Sequence, residues 1–289
     1  MVYKKYGETF RRVREQSHLF LSDFSSIGIS KGALSNFETG KTMMSFEKVV
    51  FALQIMGVSL EDFEQFLNDY ALNEPDYLLE EIEKATTAQN TKKLEELYLI
   101  AQSENFTYIA LAAKSSLGSV DSTDIEIITD YLYEIDIWSY RELCIFYLAM
   151  EHIATRDILY VLDLFLSDGH KFLNSRKHRS YLMQACCRAA TTFSTRGYRE
   201  YGEYVLNKIE QLDLINSIFL RNLFLVTKGY WLYQFIDKNK GNQLMLTAIS
   251  IFEAVSTKDN AKYYKSRYQK LVQEKLPKIP KIDNTDLMH

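Results

Sequence analysis

Between Ser30 and Lys41, small and hydrogen-bonding residues share one side of a short segment whose other side is apolar. Ser30 is a good helix N-cap, Leu34 and Phe37 lie on one face, and Gly40 follows as a natural terminator. The opposite face carries Lys31, Gly32, Ser35 and Asn36, which offer donors and acceptors and leave room for a close approach. That chemistry suits a helix that enters the major groove of DNA. Alone, the segment fits an ordinary short surface helix equally well, so the elements around it have to decide.

Four further helices are expected near it. Residues 5–16 place Tyr6, Phe10 and Val13 on one apolar stripe. A second helix over 21–26 is closed by Gly28, and a fourth over 45–56 is expected to bury Phe46, Val49, Val50 and Leu53. Ser45 stands at a capping-box position, with Lys48 where a glutamate would complete it. Ser59 caps a fifth helix over 60–68, whose first turn holds acids, as the helix dipole prefers.

This arrangement resembles the five-helix helix-turn-helix domain of the phage-repressor (Cro/C1-type) superfamily. The resemblance rests on residues 10–15, 34–41 and the run from Leu53 through Gly57, Val58, Ser59 and Leu60. It implies a buried ion pair between Arg14, late in helix 1, and Glu38, at the end of the recognition helix. It also implies that Lys31, Gly32, Ser35 and Asn36 face the groove. Asn36 can pair bidentately with adenine, and Lys31 can read guanine or hold a phosphate. Lys41, Arg11 and Arg12 are expected to clamp phosphates. The family's Ser-Gln at the start of helix 2 is replaced by Phe20 and Leu21, which removes the usual phosphate-contacting glutamine and leaves Ser22 as the expected cap.

Net charge over 289 residues is −4, which taken globally disfavours a nucleic-acid binder. Residues 1–56 nevertheless hold eight Lys/Arg against five Asp/Glu, so a mildly basic head precedes an acidic body. With only three prolines and eleven glycines, the composition points to helices rather than a turn-rich β fold. Cys144, Cys186 and Cys187 are too few for a disulfide framework and read as small buried residues. No signal peptide and no membrane-length apolar run is apparent, so a reduced, cytoplasmic protein without membrane association is expected. The five histidines show no metal-ligand spacing, and no phosphate loop or nucleophile elbow occurs; no cofactor and no catalysis are expected.

Beyond a linker at 69–76, amphipathic helices recur with polar turns at 86–91, 119–124, 167–176, 195–197, 237–241 and 257–260. Ala190, Gly202, Leu206 and Ile209 recur 39 residues later as Gly229, Gly241, Met245 and Ala248. A third, more degenerate copy is traced through Ala149, Val161 and Phe165. Small residues where hairpin helices cross, with large ones locking neighbours, follow tetratricopeptide logic; a generic antiparallel bundle is the alternative. Such arrays present a concave face for peptides or partner helices. Candidate groups on it are Arg156, Tyr181, Arg188, Asn222, Lys228, Tyr230 and Trp231. Asn222 could hold a ligand amide or a neighbouring carbonyl, and Arg188 a ligand carboxylate or an acid across the hairpin. A last helix over 260–275, with Tyr263, Tyr264, Tyr268 and Leu271, is a candidate dimerisation element.

The expected organisation is therefore all-α: a helix-turn-helix domain over 1–68, the linker, a tetratricopeptide-like regulatory and dimerisation domain over 77–276, and a polar tail over 277–289. Head and body together resemble the Rgg/MutR group of peptide-pheromone receptors of Gram-positive bacteria. The second half of the likeness lies in residues 229–233, 237–241 and 248–252. The resemblance implies a cytoplasmic, homodimeric transcription regulator that binds double-stranded promoter DNA. Its body would bind a short hydrophobic signalling peptide and so change promoter occupancy or RNA polymerase recruitment. A prophage-type repressor without a peptide, and a helical scaffold whose head no longer binds DNA, are the alternatives.

Overall fold

The computed structural model describes residues 2–168 and 175–273. Fifteen α-helices, one 3-10 turn and no strand occur among them. The chain divides into two compact units, Met1–Glu74 and Pro75–His289.

The first unit comprises α1 (Val2–Gln16), a 3-10 turn (Asp23–Ile27), α2 (Lys31–Glu38), α3 (Phe46–Ile55) and α4 (Leu60–Leu67). Its core is built around Phe10, whose ring meets Phe37 edge-on at 5.3 Å, Phe63 at 6.3 Å and Phe24 at 6.2 Å. Burying each such ring stabilises the fold by about 2–3 kcal/mol. Helix α2 is positioned by local chemistry at its start and by packing along its length. Ser30 Oγ accepts the Ala33 N–H at 3.2 Å, and Leu34 and Phe37 are fully buried. A Cβ on Gly7 would lie 2.0 Å from the Phe37 carbonyl oxygen, so α1 and α2 cross in backbone contact.

Three local expectations are corrected. The second helix is a single 3-10 turn, because Gly28 turns left-handed (φ 73°) too soon for an α-helix to form. Ser22 gives it no side-chain cap; the Asp23 carboxylate instead accepts the Phe20 N–H at 2.8 Å. Ser45 precedes α3 without capping it, and Phe46 is 71 % exposed. The α3 face that meets the 3-10 turn and α4 is the one carrying Ala52 and Leu53, leaving Phe46 outside. At Ser59 the capping box is complete, Asp62 accepting the Ser59 N–H and Ser59 Oγ accepting that of Asp62.

In the second unit come α5 (Glu74–Thr87), α6 (Thr91–Ser103), α7 (Thr107–Leu117), α8 (Ser122–Tyr133), α9 (Tyr140–Ala149) and α10 (Thr155–Asp168). They are followed by α11 (Arg176–Thr195), α12 (Arg199–Gln211), α13 (Ile218–Phe235), α14 (Lys238–Val255) and α15 (Lys258–Gln273). Residues 74–76 of the expected linker are therefore helical. Pro75 sits in the first turn of α5, where a missing amide donor costs nothing. Helices α7, α9, α11 and α13 pack side by side in one row, and α12 and α14 pair with α11 and α13 as antiparallel hairpins. Gly229 and Gly241 make one crossing possible: a Cβ on Gly241 would lie 2.5 Å from the Gly229 carbonyl oxygen. Gly202 has another use, since its missing Cβ leaves room for the Trp231 indole of the next hairpin. Ala190, Leu206, Ile209, Met245 and Ala248 are all buried, as are Ala149, Val161 and Phe165. The expected tail at 277–289 lies outside the described residues.

Candidate functional site

On the head, the polar face of α2 is held out by the buried face beneath it. Arg14 is joined to Glu38 by two hydrogen bonds, Nε to Oε1 at 2.6 Å and Nη2 to Oε2 at 2.9 Å. Its remaining nitrogen, Nη1, donates to the Leu19 carbonyl at 2.7 Å. Both side chains are at least nine-tenths buried, and the bonds to Glu38 outweigh burial to hold the guanidinium pKa above its ordinary value. The fork ties the C-terminal end of α2 to α1 and to the loop after it.

With that end fixed, Lys31, Gly32, Ser35 and Asn36 are exposed together on α2, and Lys41 is exposed just past it. The Asn36 backbone carbonyl accepts the N–H groups of Lys41 and Thr42, while its side-chain amide makes no hydrogen bond among the described residues. A Cβ added to Gly32 would meet nothing within 4 Å, so packing does not demand a glycine there. Arg11 and Arg12 are exposed on α1. Arg11 is tied to Glu15 at 2.7 Å, whereas Arg12, Lys31 and Lys41 form no salt bridge among the described residues. The result is a helix pinned at its end, with an uncommitted amide and a small hydroxyl exposed along it, and Lys31, Lys41 and Arg12 exposed without salt bridges among the described residues.

In the body the expected ligand residues do not form one site. Arg156 is largely exposed beside Asp157, at the rim of an open cavity of about 590 Å³ shared with Tyr133, His152 and Arg196. Tyr230 is fully buried, its hydroxyl 3.2 Å from Thr195 Oγ1 and accepting from Gln234. The Trp231 indole donates to the Arg199 carbonyl at 3.0 Å. Both are buried and hydrogen-bonded to the neighbouring helices. Asn222 Nδ2 donates to the Ala248 carbonyl at 2.7 Å and so fastens α13 to α14. Lys228 pairs with Glu210 at 2.8 Å.

Tyr181 and Arg188 remain, on the α11 face toward α9. Tyr181 donates to Glu83 at 3.0 Å, and its hydroxyl lies 3.0 Å from that of Tyr140. Burial raises the Glu83 pKa above the usual carboxylate range, against the pull of the Tyr181 and Cys144 bonds. Arg188 stacks over the Tyr147 ring at 4.5 Å and reaches Glu151 at 3.2 Å. Arg267 of α15 meets the same Glu151 oxygen at 3.0 Å and the Tyr263 hydroxyl at 3.1 Å. Burial alone would raise Glu151, but Arg188 and Arg267 outweigh it and bring its pKa down to about 2. The same two cations lower Tyr263 against its burial. Tyr147, Arg188, Tyr263, Tyr264 and Arg267 line one cavity of about 40 Å³.

Glu83, Tyr147, Glu151 and Arg267 were not among the expected site residues. The sequence signal for Arg267 is its i, i+4 spacing from Tyr263 on the last helix. That helix uses its aromatic face within the chain: Tyr264 stacks on Phe252 at 4.2 Å and Tyr268 donates to Asn242 at 2.7 Å. Tyr264 and Tyr268 thereby make contacts within the chain, Tyr264 buried and Tyr268 half-buried. The three cysteines are buried free thiols. Among the described residues no helix is long and apolar enough to cross a membrane, and no cluster of His, Cys, Asp and Glu could hold a metal ion.

Residues 65–266 match the family model described as HTH-type transcriptional regulator Rgg, C-terminal domain. Among solved structures, the chain is similar to the SHP pheromone receptor Rgg2 of Streptococcus dysgalactiae. That likeness has a TM-score of 0.73 and 21 % identity, covering 92 % of this chain and 100 % of the other. It is also similar to PlcR of Bacillus thuringiensis in complex with the peptide PapR7 and DNA, with a TM-score of 0.64, 14 % identity, and coverage of 94 % and 100 %. A bacterial peptide pheromone/receptor complex aligns with a TM-score of 0.60 and 16 % identity, over 93 % of this chain and 99 % of that one.

Proposed function

Because this chain belongs to the Rgg family of helix-turn-helix transcriptional regulators, we propose that it binds promoter DNA through α2 under the control of a short signalling peptide. The peptide occupies the face of the body formed by α9, α11 and α15. The observation that carries the reading is the locked helix α2, whose Lys31, Gly32, Ser35 and Asn36 stand exposed while Arg14 and Glu38 spend their charge on holding it. Asn36 and Lys31 read base edges, and Lys41, Arg12 and Arg11 hold phosphates. The solved PlcR complex contains both a peptide and DNA on the same fold, which supports assigning one role to each unit.

The protein acts as a cytoplasmic homodimer, since a single short recognition helix contacts too few bases to specify a site alone. It carries out no catalysis. Peptide binding shifts the body between states that differ in affinity for the peptide, and through them the geometry of the paired heads and polymerase recruitment. The test is binding of the full chain to a labelled promoter fragment across a salt series, with and without short apolar peptides. Binding that falls steeply with salt and changes with peptide supports the reading. Absence of binding at low salt, where phosphate attraction is strongest, favours a scaffold. DNA binding and a melting temperature that no peptide alters favour a peptide-independent repressor.

A further inference from the structure

The charges around the α15 pocket do not balance. Arg188 and Arg267 both lean on Glu151, at 3.2 and 3.0 Å, so two guanidinium groups share a single carboxylate. Glu151 is nearly half exposed at the rim, while the Arg188 side chain is 91 % buried against Tyr147. Two of the Arg188 nitrogens, Nε and Nη1, are buried with no hydrogen-bond partner. An unmade bond from a buried charged donor is costly, so these nitrogens would gain from an acceptor. The adjoining cavity of about 40 Å³ holds a group of carboxylate size and nothing as large as a peptide.

The surroundings select the kind of acceptor. Tyr147, Tyr263 and Tyr264 supply aromatic walls, and Leu223, Val226 and Leu271 add apolar surface. Such a pocket takes an anion that arrives on an apolar stem. A planar carboxylate matches a fork of a guanidinium, and both forks of Arg188 include Nη2, the nitrogen that Glu151 now holds at 3.2 Å, so a ligand carboxylate gains a fork by displacing Glu151.

We propose that Arg188 and Arg267 form a carboxylate subsite for a bound peptide, with Glu151 as the internal stand-in that a ligand carboxylate displaces. The inference rests on the reading of the body as a peptide-binding domain and adds what chemical group that ligand must present. It also gives α15 a part in the response. Arg267 ties α15 to Glu151 at the end of α9, so a ligand that takes Arg267 transfers that anchor from the chain to itself.

The test titrates the full chain, labelled at arginine nitrogen, with N-acetyl-leucinate and with N-acetyl-leucinamide, following the Arg188 Nε resonance. The acid is expected to shift it saturably and to bind at least about tenfold tighter than the amide, the ratio for a charge-assisted bond against a neutral one. Glu151→Gln, which removes the internal competitor, is expected to raise acid affinity and leave the amide unchanged. The wild-type acid-to-amide ratio decides the matter should that variant fail to fold. N-acetyl-aspartate α-amide, compared with N-acetyl-leucinate, tells a side-chain carboxylate from a chain terminus, and tighter binding of either supports the subsite. Equal acid and amide affinities, or no response at Arg188, overturn it. A titration of Arg188 by the small acids alongside no effect of acetyl-tetraleucine on melting would retain the subsite and overturn the peptide reading. Acetyl-tetraleucine binding equally as acid and amide would do the reverse.

Discussion

Arg14 and Glu38, 24 residues apart, meet through two parallel hydrogen bonds of 2.6 and 2.9 Å, and this fork ties the C-terminal end of α2 to α1. Breaking a buried pair strands one charge and costs about 3–5 kcal/mol. A head of under 80 residues has little more than that to spare. Arg14→Ala is therefore expected to abolish cooperative melting of the head while the body still melts, as read by urea denaturation. A normal head transition with DNA binding alone lost would contradict the structural role.

The exposed face should behave in the opposite way. Asn36→Ala is expected to change stability by no more than about 0.5 kcal/mol. Its cost should appear in discrimination between base pairs, at about 1–3 kcal/mol for the base it reads. Lys41→Ala should weaken binding to every sequence alike and reduce the slope of log affinity against log salt by about 1. Anisotropy titrations on cognate and scrambled duplexes separate the two effects.

Gly32 offers a sharper test because the free protein has no need of it. Gly32→Ala should stabilise the head by up to about 0.5–1 kcal/mol, since alanine loses less backbone freedom in a helix. The added methyl should nevertheless weaken DNA binding if α2 lies against the groove floor. A variant both more stable and fully competent in binding would place the DNA elsewhere.

Acid stability separates Glu83 from Glu151. The Glu151 pKa is held at about 2, so its stabilising contribution is complete above the unfolded value near 4.5 and is lost as pH falls toward 2. The raised Glu83 pKa works the other way. Below about 4.5 both states are protonated there; as pH rises, the unfolded chain ionises first and folding loses stability. Glu83→Gln is expected to melt higher than wild type at neutral pH and to converge with it in acid. Urea midpoints from pH 7 to pH 3 should show both variants departing from wild type at neutral pH in opposite directions, Glu83→Gln above it and Glu151→Gln below it, and both approaching it as the pH falls.

Local chemistry was mostly legible in the chain, whereas distant pairing was legible only where a family resemblance supplied it, as for Arg14 and Glu38. Ser30, Gly28 and Ser59 act on backbone groups within a few residues, so their types announce where helices start or stop. The apolar stripe of α3 gave a helix but not its buried face, because only its tertiary neighbours show that Leu53 turns inward and Phe46 outward. Tyr230 and Trp231 have polar atoms that suggest ligand contact, yet each finds its hydrogen-bond partner inside the fold. The Arg267–Glu151 pair spans 116 residues, a separation that no local pattern encodes.

The central claim is that α2 reads DNA. The most direct measurement is selection of binding sites by the full chain from random duplexes, repeated with Asn36→Ala. Enrichment of a two-fold-symmetric sequence by the wild type, with discrimination lost in a folded Asn36→Ala variant, is the predicted result. Enrichment of no sequence, or of the same sequence to the same degree by both proteins, would contradict it.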